Sequence, residues 1–113
     1  MSTRANIVIK ECGRELIFYR HSDGYPEGTL PTLEKFVKWI NDGKIRRSLM
    51  QASGWLIVIG NTEYGVNMNF EKDEPLNWKV GSYEITTGIH GDINYLYTID
   101  LDKKIVEIEV KEI

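Results

Sequence analysis

The chain holds two histidines, and each stands two positions before an aspartate: His21-Ser22-Asp23 and His90-Gly91-Asp92. Imidazole titrates near neutrality and a carboxylate can orient its ring, so a His/Asp pair serves proton transfer or metal ligation. The same aspartates also suit turns in which the carboxylate accepts backbone N–H bonds and the histidine is an ordinary loop residue. Neither segment has the spacing that sets two ligands on one helical face, so no metal is predicted. Around His21 stand further ligand-binding groups: Arg20 as a fork for an anion, Tyr25 as an aromatic displayed in a loop, and Glu27 beside it. The candidate binding set is Arg20, His21, Asp23, Tyr25, Glu27, His90 and Asp92. No cofactor signature appears, since Gly24 and Gly28 flank Tyr25-Pro26-Glu27 without the Gly-Lys-Ser step of a phosphate loop. Nucleophilic catalysis has little support: Ser22 is in no Gly-x-Ser-x-Gly elbow, and Cys12 falls in a predicted turn remote from either histidine.

These groups need strands to hold them. Residues 5–10 and 15–20 are rich in β-branched and aromatic types around a Glu11–Arg14 turn, a hairpin signal. Leu16–Tyr19 is apolar on both faces, which points to an interior strand. A turn-rich stretch, His21–Gly28, precedes a helix expected to begin at Leu30 or Pro31 and to stop at Asn41-Asp42-Gly43. Its apolar stripe is Leu30, Leu33, Phe36, Val37 and Ile40. Ile45, Leu49, Ala52, Leu56 and Ile59 predict a second helix over 45–60, with a strand from Trp55 as the rival for 55–60. Residues 61–76 read as an irregular connection. Alternation then predicts strands from Trp78, with a bulge at Gly81-Ser82, from Ile93 to Leu101, and over Val106–Val110. The expected fold is one α+β domain in the order ββααβββ, an antiparallel five-stranded sheet with two helices on one face. The two His-x-Asp segments form one site, on this reading, only if the third strand runs parallel to the second; the length of 61–76 favours that course.

Composition narrows the partners. Among 113 residues, 42% are apolar and the net charge is −3, so the chain has a core and lacks the basic face of a nucleic-acid binder. The densest basic cluster is Lys44, Arg46 and Arg47, which reads as a solvated helix start. A single cysteine excludes an internal disulfide and suits a reducing compartment. The N-terminus has no apolar leader and the longest apolar run, Trp55–Ile59, is too short to span a bilayer, so neither secretion nor membrane insertion is expected.

The run from Tyr19 to Leu33, Tyr-Arg-His-Ser-Asp-Gly-Tyr-Pro-Glu-Gly-Thr-Leu-Pro-Thr-Leu, resembles a signature of small bacteriophage- and prophage-encoded proteins of unknown function. Gly54-Trp55-Leu56-Ile57, Trp78-Lys79-Val80-Gly81 and Ile89-His90-Gly91-Asp92 with Tyr95-Leu96-Tyr97 are similar to the same group, so the likeness covers residues 5 to 101. The resemblance implies a phage origin and a place in the bacterial cytoplasm. At the level of class it also implies an inhibitor of a host defence. The expected function is a non-catalytic module that binds a host protein or small molecule through the 20–28 loop and the 87–92 turn. The rival readings are a metal-assisted hydrolase or phosphodiesterase using His21, Asp23, His90 and Asp92, and an assembly protein forming a homodimer or larger homo-oligomer through a strand edge or helix face.

Overall fold

The computed structural model describes residues 3–61, 63, 68–69, 74–75 and 82–113. The hairpin at the start of the chain is β1 (Ala5–Glu11) and β2 (Arg14–Arg20), paired from Ala5↔Arg20 to Glu11↔Arg14. In its turn Cys12 takes a φ of 51° and donates its backbone N–H to Asp102 Oδ2 at 2.8 Å, which holds a left-handed conformation that a side chain disfavours. Two helices follow, α1 (Pro26–Asn41) and α2 (Leu49–Asn61). Then come a two-strand ladder of β3 (Met68–Asn69) with β4 (Glu74–Pro75), and the strands β5 (Glu84–Thr86), β6 (Tyr95–Asp100) and β7 (Ile108–Glu112).

The main sheet has five strands in the order β5-β2-β1-β6-β7. It is mixed, not antiparallel throughout as the sequence suggests, because β6 runs parallel to β1 from Ala5↔Tyr95 to Lys10↔Asp100. The reason lies in 87–94: β5 runs antiparallel to β2, away from the end where His21 lies, and the chain then returns to that end before β6 begins. β1 is the central strand, and Ala5–Ile9 is accordingly buried on both faces. Ala5, Ile7, Ile9, Phe18, Tyr97 and Ile99 point to one face and form a core with Leu33, Phe36, Ile40, Leu49, Leu56 and Ile59 of the helices. Both helices therefore cover the same face.

Helix α1 starts four residues earlier than the apolar stripe suggests, at Pro26, where Gly28 and Thr29 donate their N–H groups to the Tyr25 carbonyl (both 3.0 Å). Pro26 suits a first position because its missing N–H has no partner there. Pro31 falls inside the helix, where a proline forfeits one bond to the carbonyl four residues back. Helix α2 begins at Leu49, not Ile45: residues 44 and 45 instead turn back onto the Trp39 carbonyl, and Ile45 reaches the core from that turn. Residues 55–60 are helical. Burial of Ser53, Leu56, Ile59 and Gly60 on one side of α2 decides against the rival strand. Residues 78–81 of the expected strand from Trp78, and with them half of the 81–82 bulge, lie outside the described residues, as does much of 61–76; the strand's continuation is β5. Among the described residues no helix is long and apolar enough to cross a membrane.

Gly60 makes room for Tyr83. A Cβ at Gly60 would clash with Tyr83 Cδ2, so the ring packs where a methyl group would be. Alanine normally stabilises a helix interior relative to glycine by about 1 kcal/mol. Here Gly60→Ala reverses that sign and lowers the unfolding free energy by about 1–3 kcal/mol through overpacking, read as a lower urea midpoint.

Candidate functional site

Alternation along β2 sends neighbouring side chains to opposite faces, and this divides the candidate residues into two groups. Phe18 and Arg20 face the helices; Tyr19 faces away from them.

On the helix side Arg20 is buried, with a side chain 2% exposed. Its guanidinium meets Glu63 in a bidentate pair, Nη1 to Oε1 at 2.8 Å and Nη2 to Oε2 at 2.7 Å. It also donates from Nε to the Asp23 carbonyl (3.2 Å) and from Nη2 to the Gly28 carbonyl (3.1 Å). The Tyr83 ring lies 5.0 Å from its central carbon, and the Thr32 hydroxyl donates to Glu63 Oε1. Burial pushes the Tyr83 hydroxyl far above its usual range, so it stays neutral beside the ion pair. The anion contact expected of Arg20 is therefore taken by a carboxylate of the chain itself. Its work is to tie β2, the following loop and the end of α2 together.

That loop is held tightly. The Asp23 carbonyl accepts from the Thr29 hydroxyl (2.8 Å), the Gly24 carbonyl from the Tyr97 hydroxyl (2.7 Å), and Gly24 N–H bonds the Thr3 carbonyl (2.9 Å). Burial raises the Tyr97 phenol to about 12, which keeps that donor protonated. Asp23 adopts a φ of 58°, and Gly28 must be glycine because a Cβ would meet the Asp23 carbonyl oxygen at 2.7 Å. Between the loop and the helices lies a cleft of about 420 Å³ lined by Arg20, Asp23, Tyr25, Gly28, Pro31, Thr32, Lys35, Ile59 and Glu63. Tyr25 caps α1 through its backbone and stands 39% exposed at the rim. Glu27 is exposed on the first turn of α1 and does not line the cleft.

On the opposite face the two histidines meet at Tyr19. The His90 ring stacks on it with centroids 3.9 Å apart and an interplanar angle of 11°, while His21 Nδ1 lies 3.0 Å from its hydroxyl. Thr86 Oγ1 lies 3.1 Å from His90 Nε2. Fully buried Asn6 pins the crossing segment, accepting the His90 N–H at Oδ1 (2.8 Å) and donating from Nδ2 to the Phe18 carbonyl (2.8 Å). Asp92 pairs with Arg4. Burial first, then the Asp92 charge, raise the Tyr19 phenol above its usual range. The histidines thus come together although β5 runs antiparallel to β2, against the expected condition. They do so because 87–94 crosses the sheet face.

The seven candidates form no single site. Arg20, Asp23 and Tyr25 belong to the cleft, His21 and His90 to the Tyr19 stack, Asp92 to an ion pair, and Glu27 to solvent. Among the described residues no group of three His, Cys, Asp or Glu side chains is placed to hold a metal ion, so His21, Asp23, His90 and Asp92 are not a ligand set. Cys12 is exposed, and chiefly the Asp102 charge raises its thiol, which makes it a poor nucleophile at neutral pH. Glu63, Thr32, Lys35 and Asn6 escaped the sequence reading. Only Asn6 left a signal there, as a polar residue inside the apolar run Ala5–Ile9.

Compared with known proteins, the chain matches no family model, no curated protein and no solved structure.

Proposed function

We propose that this protein is a non-catalytic binding module whose cleft beside the β2 end receives a flat apolar group against Tyr25 and an anionic group at Lys35. The observation that carries this reading is the cleft itself: a preformed concavity whose wall is braced by Arg20, Thr29 and Tyr97 rather than left to order on binding. Lys35 lines it with no ion-pair partner among the described residues, and Tyr25 stands at its rim. A catalytic reading has less support, because Glu63 is held by Arg20 and Thr32 and neither histidine lines the cleft. The occupant is a small host molecule or a side chain of a host protein. A phage origin and a role against a host defence rest on the resemblance alone, carried by Tyr19–Leu33 and the later pieces up to Tyr97.

Mononucleotides, which join a flat base to an anion, are a suitable probe. In an NMR titration, shifts should gather at Tyr25, Thr32 and Lys35. Tyr25→Ala and Lys35→Glu should each weaken binding by about tenfold or more, the loss of one stacking or charged contact, with the thermal midpoint unchanged. Shifts scattered over the surface, or binding indifferent to both changes, would sink the reading.

A further inference from the structure

The outer edge of the sheet carries an arrangement unrelated to the cleft. Ile113 donates its N–H to the Asn94 carbonyl (2.8 Å), one step beyond the Tyr95↔Glu112 pair of β6 and β7. Bonded and non-bonded pairs alternate along an antiparallel ladder. Glu109, Lys111 and Ile113 therefore turn their backbone groups inward to β6. Ile108, Val110 and Glu112 turn theirs to the free edge, where no described strand pairs with them. Side chains sort the same way. Ile108 and Val110 share the helix face and border a groove of about 510 Å³ with Leu30 and Val37 of α1, leaving Val110 44% exposed. Glu109 and Lys111 stand exposed on the opposite face.

We propose that β7 pairs antiparallel with β7 of a second copy about a two-fold axis at Val110, continuing the five strands into one sheet of twice the width. Charge selects both the occupant and the register. Centred on Val110, the two strands set Val110 against Val110 and Ile108 against Glu112, all with outward backbone groups that bond each other. On the far face Glu109 of each copy then meets Lys111 of the other, twice over. A centre one residue earlier puts Glu109 against Glu109; one residue later puts Lys111 against Lys111. Like charges opposite one another destabilise a sheet and unlike charges stabilise it, so one register stands out. The Lys103 ammonium already bonds Glu109 Oε1 at 3.0 Å, and a carboxylate has lone pairs for a second cation. The contact is self-complementary, so it closes as a dimer and covers an edge that would otherwise recruit strands indiscriminately. The surface shares no lining residue with the cleft, so this inference stands or falls apart from the proposed function.

Sedimentation velocity on the full chain tests it. The wild type should dimerise with rising concentration. Glu109→Lys and Lys111→Glu should each weaken the dimer by about tenfold or more, since each turns two attractive pairs into two repulsive ones. The doubly exchanged variant should recover it. In a Cys12→Ser background, Val110→Cys should oxidise to a covalent dimer, because a bonded pair spaces its Cα atoms at about 5.5 Å, within disulfide reach. Ile113→Cys, more exposed than Val110 but far from its own copy in this register, should not. A monomer at every concentration overturns the proposal, as does a dimer indifferent to both reversals.

Discussion

Arg20→Leu should lower the unfolding free energy by about 3–5 kcal/mol, the cost of leaving the other half of a buried ion pair without its partner. The geometry puts it at the upper part of that range. Arg20 contributes four hydrogen bonds to three separated points of the chain, and its removal strands the Glu63 carboxylate beside Tyr83 and Thr32. Urea unfolding measures the loss. Arg20→Lys should recover little, because an ammonium cannot reproduce two parallel bonds to the carboxylate while also reaching the Asp23 and Gly28 carbonyls. The pair itself is a different quantity from its breakage. Arg20→Leu combined with Glu63→Leu should be clearly more stable than Arg20→Leu alone, since replacing both partners with apolar groups removes the stranded charge. A loss under about 1 kcal/mol for Arg20→Leu would place the pair among surface bridges, contrary to its burial.

Asn6→Ala should cost about 1–3 kcal/mol, because it leaves the His90 N–H without its acceptor and takes the side-chain donor away from the Phe18 carbonyl. The larger consequence is local. Asn6 is the bolt between the central strand and the segment 87–94, so the His90 amide should exchange with deuterium much faster in Asn6→Ala, ahead of the strand core. Asn6→Asp makes a sharper comparison. Its carboxylate still accepts from His90 but has no donor for Phe18, and it buries a charge; it should be worse than alanine at neutral pH. If aspartate is tolerated better than alanine, the Phe18 bond contributes nothing.

The position of Arg20 also shows what a residue type does not reveal by itself. An arginine at a strand end beside a glycine-containing loop is equally an anion receptor or a structural tie. The decision lies 43 residues away, at Glu63, in a polar connection with no pattern to single it out. His21 and His90 are similar. Their motif was visible, and so was their placement on loops, but their common contact, Tyr19, was one aromatic among many. Tyr25 stands out in the sequence because turn residues flank it on both sides, and the residue is exposed.

The local sequence determined the elements: hairpin chemistry at Cys12-Gly13, apolar spacing in α1 and α2, and strict alternation in β6. Each depends on contacts within a few residues, and periodicity records those directly. Tertiary structure decided which strands are neighbours. The parallel β1–β6 pair and the crossing of 87–94 over the outer face follow from strand order, and together with alternation along β2 they separate the seven candidate residues. Alternation tells a strand which face to bury, but not which strand lies beside it. The two His-x-Asp segments were legible as loops able to carry chemistry; what they touch was settled by a buried asparagine and a strand order that no local pattern encodes.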